Sequence, residues 1–165
     1  MTGVELVAEE LADVAKRTDL TIAVAESLTA GRLAATLGAA TDAATWFRGG
    51  IVAYSRHVKH HVLDVPEGPV VCEAAADAMA EAVKSMMGAA LALAVTGAGG
   101  PDPQDGHPPG SVWFSVAFGD THFASHQQFD GGPERVVEQT VDHAVRLLLA
   151  AAEELYALNQ MVDKS

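Results

Sequence analysis

TIAVAESLTAGRL, residues Thr21 to Leu33, is the stretch whose reading decides the fold of this chain. Thr21–Ala25 is a short apolar run with β-branched residues, the pattern of a buried strand. Beyond the Glu26-Ser27 pair the chain turns rich in alanine and other small residues and reads as a helix from about Thr29 to Ala40. A strand that passes directly into a helix leaves its corner residues at the carboxyl edge of a sheet, where open α/β folds hold ligands. The corner also exposes the free N–H groups of the helix's first turn, which favour negative charge. Ser27 stands there with two readings: a helix cap, a job Thr29 could share, or a nucleophile.

The length of 165 residues suits one domain spanning 1–165, with a core large enough to need no staples and a frayed tail over about 159–165. A hydrophobic content of 49% argues against disorder across the body of the chain. No apolar run approaches the length of a membrane span. The N-terminus reads as an amphipathic helix carrying acids rather than a secretory signal, so a cytoplasmic protein with no membrane partner is expected. The single Cys72 agrees with a reducing compartment and reads as a buried or capping residue, and the lack of a CxxC pair argues against a thiolate zinc site.

The formal charge of −12, from 22 acids against 10 bases, argues against non-specific nucleic-acid binding. An anionic ligand would be repelled at long range and would depend on helix N-termini and a few local cations. The candidates are Arg32, Arg48, Arg56, Lys59 and Arg135.

In chain order, Val4–Arg17 carries a helical apolar stripe. After the Ser27 corner and its helix, Thr41-Asp42 offers a cap for a short turn through Trp46. Gly49-Gly50 reads as a break, Ile51–Tyr54 as a second strand, and Ser55–Leu63 as a short polar helix bearing Lys59. Cys72-Glu73 opens a further helix that stops at Gly88. Leu91–Val95 is a third buried strand, and Thr96–Gly110 is a glycine- and proline-rich loop long enough to be suspected of function. Ser111–Phe118 and Thr121–Phe129 read as a hairpin across Gly119-Asp120, and one long helix runs from Pro133 to about Leu158. The order predicts an α/β fold, a three-layer α/β/α sandwich around a mixed, mostly parallel sheet.

Three strand ends carry reactive or ligand-friendly residues: Glu26-Ser27, Tyr54-Ser55 with Lys59 beyond, and Thr96-Gly97. In a parallel-type sheet such ends converge on one edge. Serine needs a base to become a nucleophile, and lysine serves as one only when burial or neighbouring cations lower its pKa. Lys59 sits in RHVKHH among Arg56, His57, His60 and His61, which would push it down, and Tyr54 could relay or orient the proton. The other reading of RHVKHH is a solvated helix face. His57 and His61 have ligand spacing but no third ligand in sequence, so no metal is assigned. His107, His122, His126 and His143 are scattered and carry no assignment. TGAGGPD could turn backbone N–H groups toward an anion but lacks both the Walker lysine and the GxGxxG spacing.

AESLTAG, WFRGGIVAYSRHVK, and VTGAGGPD with PPGSVWFSVA together resemble, in order and spacing, the C-terminal domain of the competence-damage-inducible protein family. The resemblance runs from about Thr21 to Val145, and its second block is the most specific. Larger members carry an additional N-terminal domain, and active members are nicotinamide-nucleotide amidohydrolases. The resemblance implies hydrolysis of nicotinamide mononucleotide to nicotinate mononucleotide and ammonia in pyridine-nucleotide salvage, with no metal or organic cofactor, by a homo-oligomer. It places the nucleophile on Ser27, the base on Lys59 and an assisting tyrosine on Tyr54. Substrate contacts fall on Glu26, Leu28, Thr29, Gly31, Gly50, Thr96, Gly97 and Arg135, with oxyanion donors at the helix start near Leu28 and Thr29. The chain departs from the family's usual AESCTGG at Leu28 and Ala30. It also has Pro133 and Val137 where the family often has arginines near the last helix, and Arg135 is displaced from them. Two alternatives follow: an amidase for a less anionic amide, or a catalytically silent nucleotide-binding or assembly module.

Overall fold

The computed structural model describes residues 1–164. Five strands form one open sheet in the order β2-β1-β3-β4-β5. They are β1 (Ile22–Glu26), β2 (Phe47–Val52), β3 (Leu91–Gly97), β4 (Ser111–Phe118) and β5 (Thr121–Gln128). β1 runs parallel to both β2 and β3, whereas β3–β4 and β4–β5 are antiparallel, so the mixed sheet divides evenly. Helices α1 (Gly3–Thr18), α2 (Arg32–Gly38), α3 (Ala43–Trp46), α4 (Arg56–Val62), α5 (Glu73–Met87) and α6 (Pro133–Asp163) complete the sandwich.

Alternation along the central strands explains the layers. Side chains on a strand point to opposite faces with period two. Ile22 and Val24 of β1 and Leu91, Leu93 and Val95 of β3 join the core formed with α1, α2 and α6. The intervening Ala23, Ala25, Ala92 and Ala94 face the other way, into a core completed by Ala75, Met79, Ala80 and Val83 of α5. Large residues therefore fill the side with several helices, and alanines line the side covered by α5.

Several boundaries differ from expectation, among them the end of β2, which stops at Val52 rather than Tyr54. β2 begins at Phe47 rather than Ile51 and takes Gly49 and Gly50 into the sheet. A Cβ on Gly50 would stand 2.8 Å from the Val24 carbonyl oxygen, so glycine there permits close strand approach instead of breaking the chain. The second helix begins at Arg32 rather than Thr29 and ends at Gly38. The final helix continues through the expected frayed tail to Asp163. Among the described residues, no helix is long and apolar enough to cross a membrane.

Candidate active site

The corner after β1 is built by Glu26. Its side chain is fully buried and accepts hydrogen bonds from the backbone N–H groups of Gly31 (3.2 Å), Leu33 (2.9 Å) and Ala34 (3.0 Å). These are the donors at the start of α2 that have no partner within the helix, and a carboxylate there also complements the helix dipole. The substrate contact expected of Glu26 is therefore replaced by an internal role, and the amides expected to face an anion at this helix start are occupied. Replacing Glu26 by glutamine puts an amide NH₂ against backbone donors and removes the charge. It should lower the free energy of unfolding by about 1–3 kcal/mol, measured by urea titration.

Ser27 does not cap α2, and neither does Thr29: the helix has Gly31 at its N-cap and no side-chain cap hydrogen bond. Ser27 is 5% exposed, and its Oγ has no hydrogen-bond partner among the described residues. Thr29 is completely buried with its Oγ1 unpartnered. Residues 27–31 form a tight turn in which Ala30 N–H donates to the Ser27 carbonyl at 3.1 Å and Arg32 N–H to the Thr29 carbonyl at 2.9 Å. The N–H groups of Leu28 and Thr29 are left without a protein acceptor among the described residues. They are turn amides, not the helix-start amides that the sequence suggested.

Ala30 adopts a left-handed conformation, with φ at 47°. An L side chain strains such a backbone by roughly 1 kcal/mol or more. Ala30→Gly should therefore raise stability by about 0.5–1 kcal/mol after the entropy of a looser unfolded chain is offset. A higher urea midpoint with an unchanged m-value is the expected readout.

Tyr54 and Lys59 come from the neighbouring strand end. Glu26 is in register with Val52, and Ala53 N–H donates to the Glu26 carbonyl at 2.7 Å, so both chain ends leave the sheet together. Ser55 caps α4 by accepting from Val58 N–H at 3.2 Å. α4 inverts the usual helix pattern: Lys59 turns inward at 2% exposure, while Val62 is 41% exposed. The solvated-face reading holds for His57 and His61, whose rings stack with centroids 4.1 Å apart, but not for Lys59.

The Lys59 Nζ donates to the Tyr54 carbonyl oxygen at 3.2 Å. Burial, with a smaller push from the Arg56 guanidinium, lowers the amine's pKa to about 8, and Asp105 opposes this. Tyr54 is 69% exposed, and the group it offers the lysine's amine is its main-chain carbonyl.

The remaining expected contacts divide. The Thr96 hydroxyl donates to the Val70 carbonyl, and Gly97 allows β3 and β4 to approach, since a Cβ there would meet the Ser111 carbonyl oxygen at 2.8 Å. Gly99 lies against Leu28, which brings the glycine-rich loop to the Ser27 corner. Arg135 stands in the first turn of α6. It pairs with Glu138 at 3.4 Å and lines a cleft with Phe129, Asp142 and His143 whose lining contains none of Ser27, Tyr54 or Lys59.

Asp105 was missed by sequence reasoning. Its carboxylate pairs with Arg56 and accepts from the backbone N–H groups of Val70 (2.8 Å) and Val71 (2.9 Å). That partnership spans the chain and leaves no local trace. The Asp105-Gly106 dipeptide is, however, a readable hairpin signal within the loop.

The chain matches the model of the CinA C-terminal domain over residues 4–152. A Lactiplantibacillus plantarum protein named for competence-damage induction is 35% identical over 141 residues, covering 82% of this chain and 34% of the relative. A CinA-like protein of Frankia casuarinae is 39% identical over 133 residues, covering 78% of this chain and 31% of the relative. The chain thus spans about a third of the length of these curated relatives. Among solved structures, a CinA superfamily protein of Klebsiella pneumoniae superposes with a TM-score of 0.88 at 30% identity, covering 93% of this chain and 99% of that one.

Proposed function

The chain belongs to the CinA C-terminal domain family, and from that premise we propose that it is a serine–lysine amidohydrolase acting on nicotinamide mononucleotide. One observation supports the reading above others: a lysine 2% exposed, with its amine brought down to about 8, sits on the helix that follows β2, whose end is in register with the end of β1, and the serine just beyond β1 has a hydroxyl with no partner among the described residues. A neutral amine is a competent base near neutral pH, and an unpartnered hydroxyl is free to be activated.

In the proposed reaction the Ser27 Oγ attacks the carboxamide carbon while the Lys59 Nζ takes the hydroxyl proton. The unpartnered N–H groups of Leu28 and Thr29 receive the oxyanion, each worth about 3–4 kcal/mol in the transition state. The C–N bond then breaks. Lys59 returns its proton to the departing nitrogen, with Tyr54 swinging over the ligand to orient it, and ammonia leaves. Water attacks the resulting ester, with Lys59 again as base, to release nicotinate mononucleotide and restore the serine. These steps draw on no metal or organic cofactor and would serve pyridine-nucleotide salvage in the cytoplasm.

A second reading, an amidase for a less anionic amide, is favoured by two placements. Arg135 lies in another cleft, and Arg56 is already paired with Asp105, so neither offers a free cation to a phosphate. Ammonia release from nicotinamide mononucleotide and from nicotinamide riboside separates the readings. Faster turnover of the nucleotide is expected. A preference for the riboside moves the assignment to the second reading, and no release from either leaves a catalytically silent module.

A further inference from the structure

We propose that Asp105 is a positioning residue for Lys59: its carboxylate latches the loop between β3 and β4 onto Arg56 and onto the main chain at Val70 and Val71, and this latch keeps the lysine out of water. The inference rests on the reading of Lys59 as the base.

The latch begins with a small hairpin inside the loop. Gln104 N–H donates to the His107 carbonyl at 3.0 Å, and His107 N–H donates back at 2.9 Å. Between them, Asp105 and Gly106 have φ of 53° and 78°, the two positive values that a tight hairpin turn requires. The turn presents the Asp105 carboxylate, only 9% exposed, to the segment that follows α4. One oxygen pairs with the Arg56 Nη2, and the other accepts from Val70 and Val71.

That segment is gripped at further points. The Arg56 Nη1 donates to the Gly68 carbonyl at 3.3 Å, and the Thr96 Oγ1 donates to the Val70 carbonyl. Val65 N–H donates to the carbonyl of Lys59 itself at 3.0 Å. Leu63, Val65, Val70 and Val71 are buried and form the apolar wall of a segment whose Asp64, Pro66, Glu67, Gly68 and Pro69 are exposed, and the segment runs on directly from the lysine's own helix. Arg56 lies one turn before Lys59 on α4, where residues three apart are neighbours. Asp105 therefore ties the wall, the helix and the loop together at one carboxylate.

Two effects of Asp105 on Lys59 have opposite signs, and this makes the proposal testable. The charged groups that bear on the amine are Arg56 from its own helix and Asp105 from the loop, and burial outweighs both. As a nearby anion, Asp105 favours the protonated amine. As a latch, it maintains the dry surroundings that favour the neutral amine. If it were only an anion, its removal would lower the amine's titration point. If it is the latch, its removal admits water and raises that point.

The experiment follows the Lys59 side-chain ¹³Cε resonance through a pH titration in the wild type, Asp105→Asn, Asp105→Glu and Arg56→Lys. In Asp105→Asn the titration point is expected to rise by about one unit or more toward the ordinary lysine value. The Val70 and Val71 amides should also exchange faster with solvent. Asp105→Glu should restore most of the shift. Arg56→Lys keeps the charge but loses the two-pronged donor, and it should move the point upward by a smaller amount, which covers the case of a poorly folded Asp105→Asn protein. A titration point that stays or falls in Asp105→Asn, or in Arg56→Lys where that variant stands in, overturns the latch. The resonance reports without turnover, so the two failures are distinct. Ammonia release with no shift removes the latch alone, and a shift without ammonia release removes the amidase reading alone.

Discussion

Lys59→Met should lower ammonia release by about 10²- to 10⁴-fold, the range carried by a positioned proton-transfer group, and should make the folded protein more stable. The second half of the result separates a functional lysine from a structural one. A folded-state value of about 8 against an ordinary 10.5 means that folding disfavours the charged amine. Below pH 8 both folded and unfolded chains carry the proton, and the full penalty of burying it applies. Between 8 and 10.5 the folded state gives up its proton first, so this group's penalty shrinks as pH rises, and above 10.5 it is gone. The shift corresponds to roughly 3 kcal/mol before screening by nearby water is discounted. Methionine also leaves the Tyr54 carbonyl without its donor, at about 1 kcal/mol. The net gain at pH 7 should be about 1–2 kcal/mol, seen as a melting temperature a few degrees higher. The wild type should grow more stable from pH 8 to 10 relative to the variant. In the active wild type, kcat/KM should rise tenfold per pH unit below about 8 and level off above it. A variant that loses stability, or that keeps its turnover, removes Lys59 from the proposed role.

Ser27→Ala should abolish turnover, with a loss of about 10⁴-fold or more, because no other group in the proposed reaction forms the acyl bond. Stability should move by less than about 0.5 kcal/mol, since the lost oxygen has no protein partner and the remaining methyl keeps the volume. The pairing of an unchanged melting curve with lost ammonia release is the informative outcome. Residual turnover within tenfold of wild type would place the nucleophile elsewhere.

Much of this architecture is written locally. IAVA and LALAV announce two buried strands, and their large–small alternation already divides the residues between two cores. Glu73 to Gly88 shows its start and stop plainly, because a helix ending in a left-handed glycine is a local event. The errors arise where a distant partner overrides the local signal. Gly49-Gly50 looks like a break until Val24 is laid beside it. Thr29 looks like the first turn of a helix until Glu26 reaches past it to supply the missing acceptors. RHVKHH looks like a wet surface, and no pattern in six residues says which one turns inward. The Ser27, Tyr54 and Lys59 trio could be named from strand ends and family resemblance. Asp105 could not, because its role depends on Arg56 and Val70, which the fold brings in from elsewhere.

The alanine side of the sheet constrains how this protein can change. Its floor beneath α5 is laid in alanine, so one extra methylene at Ala92 or Ala94 would press directly on α5 and leave Met79 as the flexible neighbour to take up the strain. Tolerance for new ligands must then come from the rim, where chain segments end freely and Tyr54 stands in solvent. Variation in such a molecule should gather at its mouth and leave the ground beneath untouched.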